Sequence, residues 1–254
     1  MHPRFTMSTP IHVVGPQEGH KHTHTIIFLH GKGSNGEEFA GEFFESEASE
    51  PAGQPRTLPD LFPTVRWVFP SAPLFESQEY NMRQWFDLES TQSPNDEPER
   101  QKAGLEQSIK LVLDVAEQEE SLVPCEKIFL GGISQGFATV YSAYVSSNKS
   151  YAGLIGLCSW APSAALRMIN GVQGDASNST EDKRRPTWAF LGHSQDDETI
   201  PIEEGRKLRD ALKERTDTVV EVHEYEDSGH WVNEPKGVDD IATFLRDNIE
   251  GDCQ

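Results

Sequence analysis

A serine between two glycines, at a sharp change of secondary structure, constrains this chain of 254 residues more than any other feature. Residues 132–136 read Gly-Ile-Ser-Gln-Gly, after an apolar run at 126–131 that predicts a buried strand and before a run at 137–144 that predicts a packed helix. Glycines two positions either side of Ser134 allow a tight turn without Cβ clashes. Such a turn holds the hydroxyl above a helix N-terminus, whose N–H groups stabilise a developing anion. Three fixed residues also recur by chance, so the surrounding pattern must support the motif.

Short apolar runs alternate with amphipathic runs along the chain, a pattern typical of strand–helix units around a mostly parallel sheet. The central apolar runs are continuous in Val, Ile, Leu and Phe, as expected of strands covered on both faces. The length suits one α/β domain, predicted over 25–250, after a polar N-terminal segment at 1–24. The predicted strands are Ile11–Val14, Thr25–Leu29, Val65–Phe69, Lys127–Ile133, Ala152–Cys158, Thr187–Leu191 and Val219–Tyr225.

Two helices and two loops complete this outline. The longest helix is predicted to open at Pro98, and another is predicted after Pro235. The segments Ser46–Pro63 and Gly171–Pro186 are polar and are expected to be surface loops. The buried faces of the helices are predicted to consist of Leu105, Ile109, Val112, Leu113 and Ala116 in the first, and Val238, Ile241, Ala242, Leu245 and Ile249 in the second.

Charge and cysteine content limit the possible partners and compartment. The 42 acidic and 22 basic residues give a formal net charge of −20, so we expect nucleic acid and anionic bilayers to be repelled. The acidity favours solubility, with steering of a neutral or cationic substrate as the alternative. Residues 1–25 lack the apolar core of a secretory signal, and no run is long enough to span a membrane. The three cysteines, Cys125, Cys158 and Cys253, suit the cytoplasm rather than a disulfide framework.

A serine nucleophile needs a base, and the base needs an orienting acid. After the strand Thr187–Leu191 the chain offers the neighbouring acids Asp196 and Asp197, on a loop at the expected ligand edge of the sheet. After the last predicted strand it offers His230, just before the final helix. The order Ser, Asp, His is that of hydrolases with this serine turn. His223 lies within the strand and is predicted to be a packed or surface side chain.

Two backbone N–H groups are expected to bind the oxyanion of the reaction. One is predicted on Gln135, the residue after the serine, and the other on the loop 30–36, which reads His-Gly-Lys-Gly-Ser-Asn-Gly. Glycines in that loop allow the backbone to approach a substrate closely. We interpret His30 as a structural brace of the loop and expect the Lys32 side chain to point into solvent.

Five ordered motifs together make the chain resemble the acyl-protein thioesterase/lysophospholipase group, also called the phospholipase/carboxylesterase family, over about residues 8–249. The resemblance implies an α/β-hydrolase fold without a large cap domain, and hydrolysis of acyl thioesters or esters without cofactor or metal. It implies Ser134 as nucleophile, His230 as base and the amides of Lys32 and Gln135 as oxyanion donors. The motifs are His30-Gly31-x-Gly33, Trp85-Phe86-Asp87, Gly132-x-Ser134-Gln135-Gly136, Asp197-x-x-Ile200-Pro201 and Ser228-Gly229-His230.

The resemblance also bears on the acid and on substrate binding. The Asp-x-x-Ile-Pro register favours Asp197 over Asp196, which is then a loop hydrogen-bonding residue. Trp85 is predicted to line the acyl site, although a tryptophan at this place is equally typical of a core. Phe137 stands where the family often has a second glycine, so it is predicted to contact substrate. Lys32 stands where the family usually has an apolar residue, which bears on the width of the acyl channel.

Three alternatives remain at this level. Two of them concern function. One is a small-molecule carboxylesterase or lactonase, which uses the same acyl-enzyme chemistry; the other is a catalytically silent binding protein with a hydrolase fold, against which the triad candidates argue. His20, His22 and His24 alternate and can face one way as metal ligands, although a solvated loop is the favoured interpretation. We expect a monomer or weak homodimer acting on a lipidated protein, a lysolipid or a small ester, without stable membrane insertion.

Overall fold

The computed structural model of the chain describes residues 9–76, 81–165 and 185–250. Seven of the described strands form one sheet in the order β1-β3-β2-β6-β7-β8-β9. Strand β1 pairs antiparallel with β3, and the other neighbours in this sheet pair in parallel. The seven strands are β1 Ile11–Val14, β2 His24–Leu29, β3 Val65–Pro70, β6 Ile128–Ile133, β7 Gly153–Leu157, β8 Thr187–Ser194 and β9 Thr218–Tyr225.

Each of the seven predicted strands is present, and most strand ends lie within one residue of the predicted position. The largest change is in β8, which continues to Ser194, three residues beyond its predicted end. β1 lies within the predicted N-terminal segment and β2 begins at His24, so the predicted boundary after residue 24 falls inside β2 and divides one sheet. A separate antiparallel hairpin of β4, Leu74–Glu76, and β5, Asn81–Arg83, has no counterpart in the prediction because its strands are short and carry no apolar alternation.

Helices cover both faces of the sheet, which explains the continuous apolar strands. In β2, Ile27 and Leu29 pack into one core with α3, α4 and α5, whereas Ile26 and Phe28 pack into the other with α1, α2 and α6. None of the described residues forms a separate cap domain. The helices are α1 Gly36–Phe43, α2 Leu58–Leu61, α3 Pro98–Glu120, α4 Gln135–Ser146, α5 Ile202–Lys213 and α6 Lys236–Glu250, with a 3₁₀ turn at Cys125–Lys127.

The predicted helix faces are confirmed with two differences. Leu113 on α3 and Ile249 on α6 are only partly buried, because the buried stripe passes through Val115 and Phe244 instead. The segment Ser46–Pro63 is also more ordered than a plain surface loop, since it contains α2 and buries Leu58 at 1% exposure. Residues 171–184 of the other predicted loop lie outside the described residues.

Candidate active site

Ser134 occupies the turn between β6 and α4 in a left-handed backbone conformation, φ 55° and ψ −126°. A serine in this region is strained, and such strain is held in place by the packing around it. A Cβ atom on Gly132 would lie 2.8 Å from the backbone of Gly136, and one on Gly136 would lie 2.4 Å from the Leu29 carbonyl oxygen. Both positions therefore require glycine, which confirms the steric reason given for the motif.

His230 and Asp197 meet at the carboxyl edge of the sheet, on the loops after β9 and β8. Nδ1 of His230 lies 2.7 Å from Oδ2 of Asp197. Because an ionised carboxylate only accepts hydrogen bonds, Nδ1 donates, and Nε2 of the neutral ring is left as a proton acceptor. Ser134 and His230 both line the same open cleft.

The Asp197 carboxylate is buried and surrounded by donors. The N–H groups of Thr199 and Ile200 donate to Oδ1 at 2.8 and 2.9 Å. Burial opposes ionisation of Asp197, but hydrogen bonds from His193, His230 and the Ile200 N–H outweigh it and hold the pKa well below its ordinary value. Asp197 is therefore ionised at neutral pH and presents a fixed negative charge to His230.

Asp196, the rival acid, binds the backbone of the neighbouring loop. Its Oδ1 accepts the N–H groups of Ser228 at 3.1 Å and Gly229 at 2.9 Å. The hydroxyl of Ser194 also donates to this carboxylate, and these bonds lower the pKa of Asp196. Asp196 thus joins the loops that carry Asp197 and His230, which is the loop role predicted for it.

His193 is part of this cluster, although the sequence interpretation gave it no role. Its Nε2 lies 3.0 Å from the Ile200 carbonyl oxygen and 3.2 Å from Oδ2 of Asp197, and the residue is 6% exposed. Both neighbours are acceptors, so Nε2 carries the proton. A Cβ on Gly205 of α5 would lie 2.4 Å from Nδ1, so the ring fits only against a glycine. The sequence feature that could have indicated this role is the position of His193 at the carboxyl end of β8, four residues before Asp197.

The loop after β2 approaches the serine closely. A Cβ on Gly31 would lie 3.6 Å from Cβ of Ser134, and the Gly33 N–H donates to the Arg83 carbonyl at 2.9 Å. Gly33 has φ 94°, a conformation that favours glycine. Within the described ranges, the backbone N–H groups of Lys32 and Gln135 donate no hydrogen bond, so both remain free to bind a ligand oxygen.

His30 braces this loop, as predicted. Its Nε2 accepts the Ala72 N–H at 2.9 Å, so the proton is on Nδ1, which lies 2.6 Å from the Gly31 carbonyl oxygen. Burial lowers the pKa of His30 to about 4, so the ring is neutral at pH 7. The indole N–H of Trp85 donates to the His30 carbonyl at 2.8 Å, which connects the loop to the core.

The cleft in front of Ser134 is open and has a volume of about 340 Å³, at the lower end of the usual range of ligand sites. The prediction that Trp85 and Phe137 bind substrate is corrected, because both are wholly buried and belong to the core packed against α3. Apart from Lys32, Ser134 and His230, the residues of the lining were not predicted, because they meet there from separate segments of the chain. The lining consists of Gly31, Lys32, Ser34, Phe39, Glu42, Met82, Thr91, Ile133, Ser134, Thr199, His230 and Trp231.

The Lys32 side chain also departs from its prediction. Instead of pointing into solvent, it lines the cleft, and its Nζ donates to the Leu88 carbonyl oxygen at 3.1 Å. The Gln135 side chain is similarly fixed, with Oε1 accepting the Trp85 N–H at 2.9 Å and Nε2 donating to the Phe86 carbonyl at 2.8 Å. Both residues that carry a free N–H are thus held by their side chains to the segment 85–88.

With this geometry in place, comparison with known proteins gives a consistent result. Residues 11–249 match the sequence family described as Phospholipase/Carboxylesterase. The chain belongs to the phospholipase/carboxylesterase family. The reaction class predicted from the sequence, hydrolysis of acyl esters or thioesters by a serine hydrolase, is therefore confirmed, together with the α/β-hydrolase fold.

Relatives within the phospholipase/carboxylesterase family are similar over nearly their whole length. Acyl-protein thioesterase 1 of Yarrowia lipolytica is 28% identical over 230 residues, covering 90% of this chain and 93% of that protein. Acyl-protein thioesterase 1 of Gibberella zeae is 29% identical over 236 residues, covering 90% and 92%. The crystal structure of Zea mays acyl-protein thioesterase 2 shares the fold with a TM-score of 0.68 at 24% identity, covering 95% of this chain and 100% of that one.

Possible metal ligands in this family member centre on the same residues. In the described part of the chain, one group of three ligating side chains has its atoms within 4.8 Å of one another, namely Cys158, Asp197 and His230. Burial and the nearby Asp197 raise the pKa of Cys158, so its thiol stays protonated, and the Asp197 oxygens are occupied by N–H donors. His20, His22 and His24 form no such group. The absence of a metal and of a cofactor stays a prediction.

No helix among residues 9–76, 81–165 and 185–250 is long and apolar enough to cross a membrane.

Proposed function

We propose that the chain hydrolyses acyl thioesters or esters in two steps, with Ser134 as nucleophile, His230 as general base and Asp197 as the orienting acid. The observation that carries this assignment is the 2.7 Å hydrogen bond from His230 Nδ1 to Asp197, on a cleft that His230 shares with Ser134. This bond fixes the tautomer in which Nε2 accepts a proton.

In the first step His230 Nε2 takes the proton of Ser134, and Oγ attacks the acyl carbonyl carbon. The tetrahedral intermediate collapses to an acyl-serine, and the leaving thiol or alcohol takes the proton back from His230. In the second step His230 removes a proton from water as the water oxygen attacks the acyl-serine. The second tetrahedral intermediate then breaks its bond to Ser134 Oγ, which takes the proton back from His230 as the carboxylic acid leaves. The ionised Asp197 stabilises the imidazolium that forms in both steps.

The backbone N–H groups of Lys32 and Gln135 are proposed to bind the oxyanion. Their availability supports this role, as does the closeness of Gly31 to Ser134. Two such donors in a site partly shielded from water are each worth about 3–4 kcal/mol of transition-state stabilisation. The side-chain hydrogen bonds of Gln135 and Lys32 hold these amides in position before substrate arrives.

The proposed substrates are acyl compounds whose chain packs on the apolar part of the cleft, on Phe39, Met82, Ile133 and Trp231. The relatives named acyl-protein thioesterase support lipidated proteins as one such class. Lysophospholipids and small esters share the same acyl-enzyme chemistry and are the alternative. We also propose that the chain acts in the cytoplasm, which the free thiols of Cys125 and Cys158 support, and that it is a monomer or weak homodimer.

The test compares kcat/KM for matched oxyesters and thioesters of increasing acyl length, with Ser134→Ala as the blank. We expect the variant to lose turnover by about 10⁶-fold and to lose labelling by a fluorophosphonate, because no other nucleophile takes its place. A rise with chain length supports a deacylase of lipids or lipidated proteins, whereas a maximum at acetyl or butyryl supports a small-ester carboxylesterase. Failure of the wild-type chain to label would support the silent binding protein instead.

A further inference from the structure

Lys32 presents two different donors to the cleft, a backbone N–H and a side-chain ammonium. The sequence interpretation used only the N–H and sent the side chain into solvent. The ammonium is instead half-buried in the cleft wall, where its Nζ donates to the Leu88 carbonyl at 3.1 Å. An ammonium has three N–H donors, so one bond to Leu88 fixes its position and leaves two donors unused.

No carboxylate among the described residues lies within ion-pair distance of Lys32 Nζ. The two acidic neighbours of Leu88 in the sequence, Asp87 and Glu89, are both bound by Arg100, with Asp87 at 2.9 Å. Most of the described arginines, and several lysines, do pair with a carboxylate. In a chain with 42 acidic and 22 basic residues, a cation on an open cleft without a carboxylate partner leaves its charge available to an anionic ligand.

Among the described residues that line the cleft, Glu42 is the one acidic residue, and it belongs to another segment than Lys32. Glu42 is an exposed residue of α1, which also carries Phe39, and the Phe39 ring packs edge-on against Trp231 at 5.8 Å. Lys32 is held by Leu88, in the segment that reaches the lining at Thr91. Acidic residues farther away are screened over about 8 Å at physiological ionic strength, so the charged residues of the lining, Lys32 and Glu42, weigh most on the charge preference of the cleft.

We propose that Lys32 selects substrates that carry an anionic oxygen group, a carboxylate or a phosphate, close to the bond that is cleaved. This inference rests on the proposed function of Ser134 and deepens it by naming a substrate class. It runs against the expectation from net charge, which favours neutral or cationic substrates. The anion replaces water at the two unused donors of the ammonium and forms charge-assisted hydrogen bonds with them.

Two substrate pairs test the proposal and separate the possible positions of the anion. On the acyl side, the mono-p-nitrophenyl ester of hexanedioic acid is compared with p-nitrophenyl hexanoate. On the alcohol side, 1-butyrylglycerol 3-phosphate is compared with 1-butyrylglycerol. For each pair the readout is the ratio of kcat/KM for the anionic to the neutral substrate, so any general change in activity cancels.

We expect Lys32→Met to lower this ratio by about tenfold in at least one pair, the usual effect of losing one charge-assisted hydrogen bond at a partly exposed site. Lys32→Arg keeps the charge and should retain most of the ratio, and Lys213→Met, on the exposed end of α5, is the matched control. A change below threefold in both pairs overturns the proposal. Turnover of the neutral esters that depends on Ser134 would show, in that event, that the proposed hydrolase function still stands.

Discussion

Two buried carboxylates at opposite edges of the sheet are satisfied in opposite ways. At the amino end of β2, Glu119 receives Arg66 Nε at 2.8 Å and Nη2 at 3.2 Å, together with the Thr25 hydroxyl at 3.3 Å. At the carboxyl edge Asp197 receives only imidazole and backbone N–H groups. Arg66 cancels the charge of Glu119, whereas the neutral donors around Asp197 stabilise its charge without cancelling it.

The difference separates a structural from a functional use of a buried acid. The Glu119–Arg66 pair ties the end of α3 to β2 and β3, and its field is confined to the pair. The Asp197 field remains directed at His230, where an imidazolium can form. The comparison predicts that removing one charge affects folding and removing the other affects chemistry.

The largest effect is expected for Asp197→Asn. An amide cannot hold the required tautomer of His230 or stabilise its cation, so kcat should fall by about 10⁴-fold, as in other triads. Asp196→Asn is the matched control and should cost less than tenfold, since Asp196 only binds the loop. Steady-state kinetics with a short ester measure both. A larger loss in Asp196→Asn would reverse the assignment of the acid.

Glu119→Gln tests the structural carboxylate of this comparison. It leaves Arg66 without its counter-ion, and because the Arg66 side chain is 26% exposed we expect a loss of about 2 kcal/mol in the free energy of unfolding, at the low end for a broken buried pair. Urea denaturation measures this change in the free energy of unfolding. Glu120→Gln is the control: Glu120 pairs with Lys149 at the surface, and we expect its loss to change the free energy of unfolding by close to zero. A large loss of kcat in the folded Glu119→Gln protein would contradict the comparison.

Low pH should destabilise the fold through two histidines at the ends of β2, His24 and His30. Burial lowers the pKa of both His24 and His30 to about 4, below the 6.5 of an unfolded chain. Between pH 6.5 and 4 the unfolded state binds protons that the folded state does not. The free energy of unfolding therefore decreases by about 2–3 kcal/mol per histidine as the pH is lowered through this range. Asp197, whose pKa is lowered, adds a loss only below about pH 4.

His24→Gln isolates the amino end in this measurement. The free energy of unfolding of this variant should depend less steeply on pH between 6.5 and 4 than that of the wild-type chain, because one of the two proton-binding differences is gone. Urea denaturation at several pH values gives the slope. An unchanged slope would mean that His24 does not contribute.

The smallest effect is expected for His193. His193→Ala removes one donor from Asp197, and kcat/KM should fall by about tenfold. The acid limb of its pH profile should also move to higher pH, because Asp197 then stabilises the imidazolium more strongly. His193→Gln supplies another N–H donor, so it should restore part of the lost kcat/KM and shift the acid limb part of the way back to its wild-type position. A fall in kcat/KM without movement of the pH profile would indicate a purely structural role.

Sequence reasoning succeeded where local chemistry dictates local structure. The continuous apolar runs of β2, β6 and β7 and the glycines around Ser134 are fixed by burial and sterics within a few residues. The bond from Lys32 to Leu88, 56 residues away, depends on how two distant loops meet, and no local pattern indicates it. Trp85 and Phe137 were misassigned because an aromatic residue next to a motif serves a core as readily as a cleft.

Gly205 shows how far the demands of the site reach into the scaffold. It lies on the helix α5, does not line the cleft, and leaves just enough space for the ring behind Asp197. In a saturation library of this chain, position 205 would therefore tolerate almost nothing, while the exposed positions beside it on the same helix would accept most substitutions. An alanine there would appear in such a screen as a clone of reduced activity, comparable to the loss expected for His193→Ala, with no altered residue near the substrate.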